Sequence, residues 1–191
     1  MLGVQDSIRG VIAGQSAGGA PACATAQDAE TDATAATKWL GNVSGRKYYG
    51  SGFVVGSTED DQSGADDNYT ICKAIVRMYT SADSPSNNVR ACVYDNNGGE
   101  PGSLVGTCSD WVVGSTISTS EQDVSFENMS ADVVNGTTYY LVLEVSAVGT
   151  PYYLLAVESS GNLEDQEVSP DAATWTNDSA VYTIKYILYS N

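Results

Sequence analysis

The sequence contains no histidine. That removes the commonest general base and the commonest transition-metal ligand. Ser-His-Asp and Cys-His catalysis are excluded, as are His-containing zinc sites. Basic residues are scarce: Lys and Arg number 8 against 24 Asp and Glu, a formal net charge of −16. No basic stripe is available to neutralise phosphates, so nucleic acid is not an expected partner. Anionic membrane surfaces are disfavoured for the same reason. The negative charge reads either as solubility through self-repulsion or as provision for a cation. Long apolar runs are missing too, none approaching the ~18 residues of a membrane-spanning helix. The opening stretch MLGVQDSIRGVIAGQSAGGA carries Asp6 and Arg9 where an export signal needs an unbroken apolar run, so no such signal is expected. The 4 cysteines form no C-x-x-C pair, which argues against a zinc ribbon or a thioredoxin motif.

What is present suits one domain with an arm. The chain has 191 residues, 42% of them hydrophobic, enough for one core. Charged residues make up only 17%, and small polar residues fill the gap beside 19 Gly and 12 Tyr. A Ser, Thr, Asn and Gly surface on a Val- and Tyr-rich framework suits an all-β protein that lives outside cells.

Residues 1–40 differ from the remainder. Val4, Ile8, Val11 and Ile12 fall at helical spacing, though Gly3, Gly10 and Gly14 weaken an isolated helix. The tract GQSAGGAPACATAQDAETDATAATK then offers almost no large apolar side chain to bury, so it is expected to be extended or disordered in isolation. This describes an anchoring arm over 1–40 ahead of a folded domain over 41–191. Deleting residues 1–38 is expected to leave a soluble fold while abolishing attachment.

Beyond Trp39 the period becomes two. NYTICKAIVRMYT sets Cys72, Ala74, Val76 and Met78 on one face and Lys73, Ile75, Arg77 and Tyr79 on the other. Cys72 here reads as a small buried hydrophobe. Val89, Ala91 and Val93 alternate with Arg90, Cys92 and Tyr94. Tyr139, Leu141, Leu143 and Val145 point inward, with Tyr140, Val142 and Glu144 outward. PYYLLAVES is a further strand, and AVYTIKYILYS closes the chain as a strand expected to pair centrally. Shorter strands are expected at 52–55, 104–113 and 123–127. Turn chemistry separates them, and seven to nine strands in all predict an antiparallel β-sandwich.

The stretch YDNNGGEPGSLVGT joins two of these strands. Gly98 and Gly99 permit a reversal, and Pro101-Gly102 is expected to set a second turn. Asp95, Asn97 and Glu100 are the alternative, as a ligand site. Cys92 and Cys108 flank the loop and are the candidate disulfide if the flanking strands pair. Together with VNGTTYYLVLEV and ATWTNDSAVYTIKYILYS, this stretch resembles the jelly-roll β-sandwich domains of bacterial and phage surface proteins over residues 50–191. The resemblance implies a lectin-like or carbohydrate-binding-module-like sandwich, often one unit of an adhesive protein. It does not fix a function.

Three candidate chemistries remain. STEDDQSGADDNY holds Asp60, Asp61, Asp66 and Asp67, oxygen ligands dense enough for a structural Ca²⁺ but outside the EF-hand register; the alternative is a solvated acidic loop. Trp111, Trp175, Tyr140, Tyr152 and Tyr153, with Trp39, either form a sugar-stacking platform or cap the core. Paired carboxylates could serve a glycoside hydrolase, but no pair is marked by its local sequence, and an enzyme is not expected.

The resulting expectation is a structural or adhesive surface protein. Its first form is a phage virion component (capsid decoration protein, head fibre or tail fibre). The arm would dock on other virion proteins or on copies of itself, and the sandwich would face outward toward cell-surface glycan. The alternative is a carbohydrate-binding or adhesin module of a bacterial extracellular protein.

Overall fold

The computed structural model describes residues 23–30, 36–56, 68–83, 85–158, 166–179 and 182–191. Alternating Val, Ile, Leu and Tyr residues drive these segments into strands, because one face of each can be buried while the backbone pairs sideways. Two antiparallel sheets result. The first runs β1 (Thr25–Glu30), β14 (Tyr186–Ser190), β4 (Tyr69–Thr80), β10 (Tyr153–Glu158) and β13 (Thr183–Ile184). To it are added β2 (Ala36–Leu40) on β10, and β7 (Gln122–Phe126) and β8 (Ala131–Val133) on β4. The second runs β12 (Thr176–Ser179), β11 (Gln166–Ser169), β3 (Tyr48–Val54), β9 (Thr138–Val145), β5 (Val89–Asn96) and β6 (Pro101–Val105).

The core is the space between them. Tyr49 and Phe53 of β3, Leu141 and Leu143 of β9, and Ala91 and Val93 of β5 meet Ala74, Val76 and Met78 of β4, Leu155 of β10 and Leu188 of β14. Each large side chain so buried contributes roughly 1.5–3 kcal/mol. The fold is therefore the expected all-β sandwich. The inward sets of β5 and β9 are those read from the alternation. The strand expected at 104–113 lies earlier, at Pro101–Val105, with only isolated bridges at Thr107 and Val112 beyond it, and the closing run is interrupted at Lys185. Pairing of β14 with β4 on one side and β1 on the other makes that strand internal, as expected.

Three expectations are corrected. First, the folded domain begins well before residue 41: β1 pairs with β14 and β2 with β10, and Gln27, Asp28 and Ala29 are buried. The small residues of this tract can lie flat along an existing sheet edge, which supplies the backbone partners that an isolated tract lacks. Val4, Ile8, Val11 and Ile12 lie outside the described residues. Second, Cys72 is not a free hydrophobe; it is disulfide-bonded to Cys23. Tyr189 pairs with Lys73 and Ser190 with Ile71, so Cys72 is the extra residue of a β-bulge. The bulge puts Ile71 rather than Cys72 into the core. Third, Pro101 and Gly102 do not form a second turn. They open β6, an edge strand, where a missing N–H is tolerated.

Candidate functional site

The outer face of the second sheet gathers most of the chemistry among the described residues. Strands β3, β9 and β5 set their outward side chains in rows. Tyr48, Glu144 and Arg90 are cross-strand neighbours; so are Gly50, Val142 and Cys92, and Gly52, Tyr140 and Tyr94. Outward side chains are normally wet, yet Tyr140 and Val142 are buried here. Trp175, on the turn between β11 and β12, folds over them. Its ring lies edge-on to Tyr48 at 6.4 Å and to Tyr94 at 6.3 Å and is only 7% exposed. Gly50 makes room, because a Cβ there would lie 3.2 Å from Pro101 and 3.6 Å from the indole. Asp171 shapes the turn by accepting from the backbone N–H groups of Ala173 and Thr174, both at 2.9 Å. Those two bonds hold its carboxyl below the ordinary range.

Two carboxylates are nearly buried and each meets two cations. Glu144 accepts from Arg90 Nε at 2.7 Å and Tyr48 Oη at 2.9 Å, with Lys47 Nζ at 3.7 Å. Burial, then the bond to Glu144, pushes the Tyr48 phenol up to about 12. Asp178, on edge strand β12, pairs with Arg46 and with Lys38 Nζ at 3.1 Å, and accepts from Tyr49 Oη at 3.3 Å. Lys38 belongs to β2 of the other sheet, so this ion pair ties the two sheet edges together. Burial works to raise the Asp178 carboxyl, but Arg46 and Lys38 outweigh it and hold it low. A third carboxylate, Asp28, is fully buried and accepts from Tyr69 Oη and from Gly56 N–H at 3.4 Å.

The YDNNGGEPGSLVGT loop closes on itself. Gly98 and Gly99 take φ of 72° and 100°, which only glycine adopts without strain. Asn96 Oδ1 accepts from Gly99 N–H at 2.8 Å, and Asp95 Oδ1 from Ser103 N–H at 2.6 Å. A Cβ on Gly102 would collide with that Asp95 oxygen. Tyr140 Oη donates to the Gly99 carbonyl at 2.5 Å, joining the loop to the sheet face. Of the alternative ligand set, Asp95 is thus committed to its own loop. Asp95 and Asn97 also line an open groove of about 440 Å³, against Ala172 and Ala173 of the tryptophan turn. Cys92 and Cys108 are disulfide-bonded beside it, the pair expected if the flanking strands met.

The five aromatics do not form one platform. Trp175 and Tyr140 come together, but buried. Tyr153 lies in the main core with its hydroxyl on the Asn87 carbonyl. Tyr152 sits on the first sheet, 6.3 Å from Trp39, which is 49% exposed. Trp111 is 38% exposed and stacks on Arg90, whose guanidinium carbon is 4.6 Å from the ring centre. Asp60, Asp61, Asp66 and Asp67 lie outside the described residues. Among the described residues no group of three or more acidic or Cys side chains is placed to hold a metal ion.

Arg90, Lys47, Tyr48 and Glu144 were not singled out in the sequence. One signal was present: Glu144 interrupts an otherwise apolar strand at an outward position, and a carboxylate so placed needs a cation on the next strand. The face as a whole presents a nearly buried indole at Trp175, a partly exposed one at Trp111, and the partly exposed cations Arg90 and Lys47. The chain matches no protein-family model and no curated protein.

Proposed function

We propose that this chain is a displayed structural or adhesive protein, a surface component of a phage particle such as a capsid decoration protein, head fibre or tail fibre. One observation carries the reading: two disulfides brace the sandwich, and one of them, Cys23–Cys72, fastens the chain where the N-terminal segment joins the sheet. A crosslink at that point transmits force from an anchor into the central strand β4 rather than peeling an edge strand. Disulfides persist on virion and cell surfaces but not in a reducing cytosol. The buried carboxylates support the same reading, since each is occupied by cations or phenols that hold the fold together. Residues 1–22 serve as the attachment segment, on other virion proteins or on copies of the chain, and repeated copies make weak single attachments sufficient. Mass spectrometry of purified particles, with surface labelling of intact ones, tests this. Recovery of the chain among labelled particle proteins supports it; recovery only in the soluble lysate contradicts it.

The same disulfides favour a second reading, a carbohydrate-binding or adhesin module of a bacterial extracellular protein, because export passes through an oxidising compartment. Labelling on whole cells that carry no phage distinguishes the two.

A further inference from the structure

We infer that the strip formed by Trp111, Arg90 and Lys47 on the outer face of the second sheet is a binding site for acidic polysaccharide, whose uronate-type carboxylates meet the cations while a sugar ring stacks on the indole. The inference rests on the surface-display reading and names its ligand class.

The molecule carries −16 overall, yet 4 of its 8 basic residues gather around two carboxylates, Lys47 and Arg90 on Glu144 and Lys38 and Arg46 on Asp178. The Glu144 group belongs to this face, and there one carboxylate meets two cations, so positive charge is left over. Asp171 lies within electrostatic reach of Tyr48 and is held ionised by two backbone N–H groups, so it offsets part of that surplus at the Tyr48 end of the strip. The side chains of Arg90 and Lys47 remain 32% and 33% exposed. A positive strip on a strongly negative body repels most anionic surfaces and still admits an anion presented at the strip, which favours selectivity.

The aromatic geometry specifies the ligand further. Arg90 covers one face of the Trp111 ring and is itself held by Glu144, so the indole is fixed through that face and a sugar ring would stack on the other. Fixed, exposed aromatic rings suit flat, partly apolar ligands such as pyranose rings. Lys47 lies over the ring of Tyr48, 5.1 Å from its centre, on the other flank of Glu144. Carboxylate groups recurring along a chain of flat rings match that alternation. An acidic peptide matches it less well. The strip lies on a sheet face, where no free backbone edge is offered for strand addition.

The test uses the full, oxidised protein and measures binding to immobilised polygalacturonate, with dextran as the neutral control and polyglutamate as the acidic peptide control. Polygalacturonate should be bound in preference to both, and binding should weaken steeply from about 0.05 to about 0.5 M NaCl. Trp111→Ala and Lys47→Gln should each weaken it about tenfold. Both sites are partly exposed, and Glu144 keeps Arg90 and Tyr48 in the lysine variant, so unchanged thermal unfolding is expected and separates lost binding from lost fold. Dextran bound equally, with both variants silent, would overturn the strip and leave an adhesive role intact. Polyglutamate bound as tightly, with Trp111→Ala silent, would replace sugar by acidic protein. No binding to any of the three would overturn the site without touching particle association, which labelling reads separately.

Discussion

Glu144 and Asp178 show how single charges can be kept inside a small β protein: each sits at an edge or outer row where two cations and a phenol reach it. For Asp178 the folded pKa lies below the unfolded value of about 3.9. Its stabilisation is complete above that value and is lost as pH falls below it. Asp178→Asn is expected to cost about 2 kcal/mol at neutral pH and to flatten the acid limb of the stability curve, as read by urea unfolding at stepped pH. Tyr48 and Tyr153 behave oppositely in sign. Both phenols are pushed from 10.0 up to about 12, foremost by burial. Their neutral form stabilises the fold fully below pH 10, and that contribution is lost as pH rises through about 12. Ultraviolet titration should find these phenols ionising late, together with unfolding, and before Tyr49, which burial pushes higher still. Gly106 is a steric case. Its φ is 67° and a Cβ would overlap the Ser130 carbonyl, so Gly106→Ala should destabilise by more than about 2 kcal/mol in the same unfolding assay.

At the scale of elements, the N-terminal boundary matters most. Removing residues 1–22 leaves Cys23, β1 and β2 in place, whereas removing 1–38 deletes β1, most of β2, Lys38 and the partner of Cys72. The shorter deletion should fold with near-native stability. The longer one should lose several kcal/mol, including about 4 kcal/mol for the crosslink closing a 49-residue loop. Calorimetry of the two truncations separates these outcomes. That boundary was illegible in the sequence for a physical reason: Ala- and Thr-rich strands carry no hydrophobic period of their own and form only because β14 and β10 offer an edge. Cys72 was hidden by its own strand, whose alternation gives no hint that one residue bulges out of register. By contrast, the inward sets of β5 and β9 were legible residue by residue, since Val89, Ala91 and Val93 and then Leu141, Leu143 and Val145 alternate with partners that differ in polarity or bulk.

For the whole molecule, the two-layer architecture was legible because turn residues cut the chain into short alternating runs. The candidate site was not, because Arg90, Glu144, Tyr48 and Lys47 come from three strands and a turn that register alone brings together. The aromatics advertised by composition turned out to serve the main core, a second small core and two separate surfaces. The molecule is a sandwich of two sheets braced by two crosslinks, and the proposed display requires that both stay oxidised where the protein works. Non-reducing peptide mapping of the chain taken from intact particles or cell surfaces tests this most directly. The expected result is linked peptides for Cys23–Cys72 and for Cys92–Cys108. Four free thiols in that material, or any exchanged pairing, would contradict it.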